Sequence, residues 1–147
     1  MLFRSFGDLF QKYVKSLIKI KGYELIYEDF LDVYDTKSET KKGKKDLDVC
    51  FTIGNTIYYF ESKLNLNLDT EKTEATDNKI KDINEYLVKK NVNYNVVSAL
   101  LTCWWGDEKD LPIRTKTKVY FMKDFLELIN QVCDKNEYYE KIGRAHV

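Results

Sequence analysis

The side chains best suited to chemistry in this sequence are Asp48, Glu61 and Lys63. Two carboxylates that lie side by side can share one divalent cation, because magnesium prefers oxygen ligands and typically takes one or two carboxylates. Such a cation lowers the pKa of a water molecule and neutralises charge on phosphoryl oxygens, and a nearby ammonium group adds to that neutralisation. The combination suits hydrolysis of a phosphodiester, provided that the fold brings all three side chains to one face.

A predicted β-hairpin would bring them together. Two β-rich runs are separated by Gly54-Asn55, a type of dipeptide that closes two-residue hairpins. With this turn, Asp48 falls directly opposite Glu61, and the Cβ atoms of opposed residues lie about 4.5–5.5 Å apart. Lys63 follows Glu61 by two positions and therefore projects from the same face. The hairpin thus predicts a cluster of two acids and one amine.

Two plainer interpretations stand beside the metal site. The acids could form a solvated, charged strand end, although directly opposed like charges destabilise a sheet that has no cation between them. Asp46 competes with Asp48 for the metal-binding role. The same register places Asp46 opposite Lys63, so we expect a cross-strand ion pair there and keep Asp46 only as a supporting residue.

The elements around the hairpin follow from hydrophobic periodicity and turn residues. An opening amphipathic helix begins at Ser5, where Asp8 three positions on resembles a capping box, and Gly22 ends it. The other predicted elements are a strand at 23–28, an exposed loop at 32–45, hairpin strands at 47–53 and 56–64, a helix from about Asp69 or Thr70 to Lys89, a buried strand at 96–103, a loop at 106–116, a short strand at 118–122 and a last helix marked by Phe125, Leu128, Ile129 and Val132.

Asp48 together with Glu61-Ser62-Lys63 resembles the motif of the PD-(D/E)xK nuclease superfamily, which includes many type II restriction endonucleases. The predicted order of elements over about residues 5–125 is similar to the αβββαβ core of that family, an α/β (α+β) fold with a mixed central sheet flanked by helices. The resemblance implies that Asp48 and Glu61 hold Mg²⁺ and that Lys63 serves the attacking water. It also implies double-stranded DNA as the substrate.

Two positions depart from the family pattern. Leu47 stands where the motif often has proline, which leaves the chemistry unchanged. Gln11 stands on the first helix, where many relatives place a glutamate near the metal. Gln11 could still hydrogen-bond a water molecule on the metal, so we keep it as a possible supporting residue.

The resemblance favours a Mg²⁺-dependent DNA endonuclease, first of all a type II restriction endonuclease. A repair or structure-specific nuclease of the same fold stays open, as does a non-catalytic DNA-binding domain. Because palindromic sites match two-fold symmetry, a homodimer is expected. A companion DNA methyltransferase is a further expected partner in a restriction system.

Composition limits the other possibilities. The formal net charge of zero gives no global signature of nucleic-acid binding, so contact with the DNA backbone would need a local basic patch. Without a membrane-length apolar stretch or a signal pattern, the cytoplasm is the expected location. The three cysteines lack any CxxC pair, which argues against a zinc site or a disulfide framework. The candidate patch is a run of lysines that could equally be a solvated loop: Lys41, Lys42, Lys44 and Lys45.

The last six residues, 142–147, read Ile-Gly-Arg-Ala-His-Val. They back-translate to ATC GGA AGA GCA CAC GTC, which resembles a common sequencing-library adapter. We therefore expect a single nuclease domain over 1–141, truncated at its C-terminus, followed by an adapter-derived tail, with a genuine terminus as the alternative. His146, the single histidine, lies in this tail, so histidine chemistry is not expected.

Overall fold

The computed structural model describes residues 5–29, 31–34, 41–64, 70–106 and 115–146. Within these ranges the chain forms, in order, α1 (Phe6–Ile20), β1 (Glu24–Leu25), β2 (Leu31–Tyr34), β3 (Lys41–Lys45), β4 (Val49–Ile53), β5 (Thr56–Ser62), α2 (Thr70–Lys90), β6 (Asn95–Leu101), β7 (Val119–Tyr120), α3 (Met122–Leu128) and α4 (Lys135–His146).

The central sheet has five strands in the order β1-β4-β5-β6-β7. Strands β1, β4 and β5 pair antiparallel, whereas β5, β6 and β7 pair parallel, so the sheet is mixed. Together with α1 and α2, the strands β1, β4, β5 and β6 follow the expected αβββαβ order. Strands β2 and β3, which come between β1 and β4 along the chain, form a separate antiparallel ribbon. The predicted fold class, a mixed α/β sheet flanked by helices, is confirmed.

The central hairpin forms in the predicted register. Gly54 takes the left-handed conformation that the tight turn requires, with φ of 57°. Ile53 pairs with Thr56, and the ladder continues to Val49 opposite Phe60. The next position of the ladder would place Asp48 opposite Glu61.

Helices cover both faces of the sheet because side chains alternate along β5. Phe60 belongs to the core that α1, α3 and α4 cover, whereas Tyr59 belongs to the core beneath α2. Each fully buried large apolar side chain contributes about 1.5–3 kcal/mol to folding. The apolar positions of α1 and α2 recur with the spacing of one helix face and are buried, as expected for Ile80, Ile83 and Leu87 on α2 and for Phe10, Val14 and Ile18 on α1.

The expected exposed loop at 32–45 is wrong in part, because β2 and β3 pair across it. The register sets Asp32 opposite Lys44. The lysine-rich sequence of β3 has no apolar alternation, so its sequence does not mark it as a strand. Residues 35–40 lie outside the described part of the chain.

The first strand, Glu24–Leu25, is shorter than the expected 23–28, and the Ile26 N–H adds one hydrogen bond of 2.9 Å to the Cys50 carbonyl of β4. Tyr27 has a positive φ of 52°, which takes the chain out of the extended conformation. The expected N-cap Asp69 of α2 lies outside the described residues.

The C-terminal region also differs from expectation. Helix α3 ends at Leu128, and the left-handed residue Asn130 turns the chain, so Val132 is exposed and does not pack. A further helix, α4, follows, and its Tyr138 is fully buried in the core with α1. Ile142, the first residue of the expected tail, is also buried.

No helix among the described residues combines the length and the apolar character needed to cross a membrane. Cys50 is buried as expected for a small apolar side chain, and burial raises the pKa of its thiol to about 12. Cys103 and Cys133 are only half-buried.

Candidate active site

Asp48 lies directly before β4, at the open end of the hairpin. Its Oδ2 accepts a hydrogen bond of 2.9 Å from the backbone N–H of Ser62, the last residue of β5. The carboxylate therefore holds the hairpin closed one step beyond the strand ladder. Asp48 itself is half-buried, which leaves part of its carboxylate accessible.

Glu61 is buried, with 5% of its surface exposed, and lies on the face of the sheet that α2 covers. Its Oε1 lies 3.1 Å from Nζ of Lys79, a residue of α2. Its Oε2 accepts a hydrogen bond from the hydroxyl of Tyr59, which is fully buried on the same face. Both oxygens of Glu61 thus have a donor, as a buried carboxylate requires.

The two carboxyl groups influence each other. Burial raises the pKa of Asp48 most, and the charge of Glu61 and a hydrogen bond between the two carboxyl groups raise it further, from 3.8 to about 6. The Ser62 N–H and the Lys79 ammonium oppose this rise. Burial, with Glu61 next in size, also raises the pKa of Tyr59, so its hydroxyl keeps the proton that it donates. The site therefore places two carboxyl groups together where burial makes the charge of Asp48 costly.

Lys63 follows the end of β5, and its backbone N–H continues the ladder with a 2.9 Å hydrogen bond to the carbonyl of Leu101. Alternation along the strand places it on the same face as Glu61. Its side chain is half-buried. That Lys63 acts together with the two acids stays a prediction.

The expected ion pair between Asp46 and Lys63 is wrong: it is not present in the described part of the chain. The ladder of β4 begins at Val49, so the hairpin register does not extend back to Asp46, which is exposed. An ion pair at such an exposed position would contribute little, since side-chain entropy and solvent offset it.

No hydrogen bond joins Gln11 to Asp48 or Glu61 among the described residues. Its helix, α1, packs on the face of the sheet opposite α2, whereas Glu61 contacts α2 through Lys79. Gln11 instead lines an open depression along α1 with Asp8, Lys12 and Lys15. The sequence motif gave no information on which face α1 covers. The supporting role of Gln11 stays a prediction.

The lysines expected to contact DNA belong to β3, in the two-stranded ribbon. Lys45 at the end of this strand is exposed. The side chains of the other three lie outside the described residues: Lys41, Lys42 and Lys44.

Sequence reasoning missed two partners of Glu61, Lys79 and Tyr59. A periodic signal exists for both. Lys79 precedes the buried Ile83 by four residues and so shares the sheet-facing side of α2. Tyr59 precedes Glu61 by two residues on the same strand and so shares its face.

Thr102 is a further residue that the motif does not mark. It directly follows β6, and its backbone N–H donates a 3.1 Å hydrogen bond to the carbonyl of Tyr120. Its hydroxyl oxygen is buried and has no hydrogen-bond partner among the described residues. Continuation of the parallel register would set Thr102 beside Lys63.

The carboxylate oxygens at this site are ligands of the kind that an oxygen-preferring divalent cation takes. Among the described residues no group of three or more Asp, Glu, His or Cys side chains could surround a metal. The Asp48–Glu61 pair suffices for magnesium, which typically uses one or two carboxylates and takes its other ligands from water and phosphate. A cation would also relieve the repulsion that helps raise the pKa of Asp48.

No family model and no curated protein matches the chain. A solved structure that it resembles is the small subunit of the heterodimeric restriction endonuclease R.BspD6I, with 12% sequence identity and a TM-score of 0.47. The match covers 93% of this chain and 78% of that chain. Similarity at this level carries no inference about activity.

Proposed function

We propose that this chain is a Mg²⁺-dependent DNA endonuclease that hydrolyses phosphodiester bonds, and that it acts in DNA restriction. The observation that carries the proposal is the pair formed by Asp48 and Glu61 at the open end of the hairpin. Strand alternation predicts Lys63 on the same face. A structural sheet has no need for two adjacent acids in a partly buried place, because the charge of Glu61 makes Asp48 harder to ionise.

Each residue of the site would have a distinct role in the reaction. Asp48 and Glu61 would hold the cation, which when bound supplies charge neutralisation at the phosphate and a more acidic water. The ammonium of Lys63 would donate a hydrogen bond to the attacking water and so orient it, or to a phosphate oxygen and so stabilise its charge. Tyr59 and the Ser62 N–H hold the two carboxylates in place by hydrogen bonds.

The partners follow from this chemistry. Double-stranded DNA would be the substrate, with the β3 lysines contacting its backbone near the site. A homodimer would present two such sites to a two-fold symmetric sequence. A cytoplasmic location and a companion methyltransferase remain predictions.

Plasmid cleavage tests the proposal. The purified protein is incubated with supercoiled plasmid in Mg²⁺ or in EDTA, and the products are separated on a gel. We expect discrete DNA fragments in Mg²⁺ and no cleavage in EDTA. Glu61→Gln and Lys63→Met should each lower the rate by about 10²–10⁴-fold, the usual contribution of one positioned catalytic group. Lys81→Met and Glu85→Gln, at exposed positions of α2, are the matched controls and should cut normally.

Three results would contradict the proposed function or the proposed roles of its residues. Cleavage confined to branched or damaged DNA would favour a repair nuclease. Binding of DNA by the folded wild-type protein without any cutting in Mg²⁺ would favour a non-catalytic domain. Full activity of Glu61→Gln or Lys63→Met, with normal circular dichroism, would remove these residues from the mechanism.

A further inference from the structure

The structure already holds a positive charge at the proposed cation site. Nζ of Lys79 lies 3.1 Å from Oε1 of Glu61, within ion-pair distance. This lysine is not part of the strand motif, since it comes from the middle of α2. Its ammonium therefore forms an ion pair with a carboxylate oxygen that a divalent cation would need as a ligand.

We propose that Lys79 is a built-in competitor of the divalent cation: its ammonium neutralises Glu61 in the cation-free protein and leaves Oε1 when Mg²⁺ binds. The inference rests on the proposed function, because it assumes that Glu61 is a metal ligand. It adds a residue that sets how tightly the site binds its cation.

The partners of Glu61 differ in how easily they can leave. Tyr59 is fully buried and its ring is fixed in the core beneath α2, so its hydroxyl stays at Oε2. The side chain of Lys79 is 36% exposed and ends a flexible chain of methylene groups. Its ammonium can move into water at small cost, whereas Tyr59 cannot move without opening the core. Lys79 is therefore the partner that a cation would displace.

The two cations cannot share the oxygen without repulsion. A divalent ion bound to Glu61 would lie within a few ångströms of an ammonium that still held Oε1, and like charges repel strongly at a site that is shielded from water. Displacing Lys79 also ends its ion pair. Both effects weaken cation binding, so removing the ammonium should strengthen it.

The test is binding calorimetry with Mg²⁺ and no DNA, comparing wild type with Lys79→Met. The variant should bind at least about tenfold more tightly, which corresponds to ~1.4 kcal/mol. Lys79→Arg keeps the positive charge and should retain an affinity close to that of the wild type. Lys81→Met removes a charge at an exposed position of the same helix and should change the Kd far less. Lys79→Gln is the substitute should Lys79→Met fail to fold by circular dichroism.

Glu61→Gln in the same experiment separates this inference from the proposed function. If Glu61→Gln binds Mg²⁺ as well as the wild type does, or if the wild type does not bind it, the proposed metal site is wrong and the inference falls with it. If Glu61→Gln loses binding but Lys79→Met binds no more tightly than the wild type, the metal site stands and only the competitor role of Lys79 is overturned.

Discussion

Asp48→Asn should stabilise the cation-free protein at pH 7 and leave its stability nearly unchanged at pH 4. The amide has nearly the shape of the carboxylate, and its oxygen can still accept the hydrogen bond from the Ser62 N–H. What the substitution removes is a negative charge that burial and Glu61 make costly. The folded protein should benefit only at pH values where that charge is present.

The size of the effect follows from the pKa of Asp48, which is 3.8 ordinarily and about 6 in the folded protein. A tenfold change in proton affinity is worth about 1.4 kcal/mol, so the full rise corresponds to ~3 kcal/mol. Partial exposure of Asp48 to solvent reduces this to ~1–2 kcal/mol. Since the folded state binds the proton more tightly than the unfolded chain, wild-type stability should fall as pH rises from about 4 to 6 and then level off.

The assay is urea unfolding in EDTA at a series of pH values from 4 to 7, followed by circular dichroism. The difference in unfolding free energy between Asp48→Asn and wild type should grow from near zero to ~1–2 kcal/mol across this range. Asp82→Asn, at an exposed position on α2, is the control and should show no such growth. In Mg²⁺ at pH 7, the wild type should gain about 2.7 kcal/mol when Mg²⁺ is at 100 times its Kd, and the variant much less.

Two outcomes would refute this reasoning. A variant that is less stable than the wild type at pH 7 in EDTA would show that the Asp48 charge is compensated in the folded protein. Equal stabilisation of variant and wild type by Mg²⁺ would show that the cation binds without this carboxylate.

The remaining predictions concern two buried hydroxyls. Thr102→Val should raise the free energy of unfolding by about 1 kcal/mol in urea, because a methyl group replaces a buried hydroxyl that has no partner among the described residues; a loss of stability would show that this hydroxyl is bonded. Tyr59→Phe should lower the free energy of unfolding by about 1.5–3 kcal/mol, because the buried, charged Glu61 carboxylate loses a hydrogen bond. An unchanged urea midpoint at pH 7 would contradict the second prediction.

Local patterns predicted the parts of the fold that depend on neighbouring residues. The Gly54-Asn55 turn fixes which residues of β4 and β5 pair, and the structure has that register. Helix α1 begins where Ser5 accepts a hydrogen bond from the Asp8 N–H, as the capping pattern predicts. Both features arise within a few residues, so the sequence carries them directly.

The parts that were missed depend on contacts between distant segments. Pairing of β2 with β3 joins a short segment, LDVY, to the lysine-rich KKGKK, which has no apolar alternation to mark it as a strand. The contact of Lys79 with Glu61 depends on how α2 lies across the sheet, and the place of Gln11 depends on which face α1 covers. Helix α4 was missed because residues 135–141 show no assigned pattern and residues 142–147 were attributed to an adapter-derived tail, although Tyr138 is buried in the core.

The most direct test of the metal site is a crystal structure of the protein grown with Mn²⁺, analysed by anomalous diffraction. We predict one anomalous peak bonded to both the Asp48 and the Glu61 carboxylates, at the oxygen distances of about 2.0–2.2 Å that such cations adopt. A peak bonded to other residues, or none at Mn²⁺ concentrations well above those that support cleavage, would contradict the claim that these two acids hold the catalytic cation.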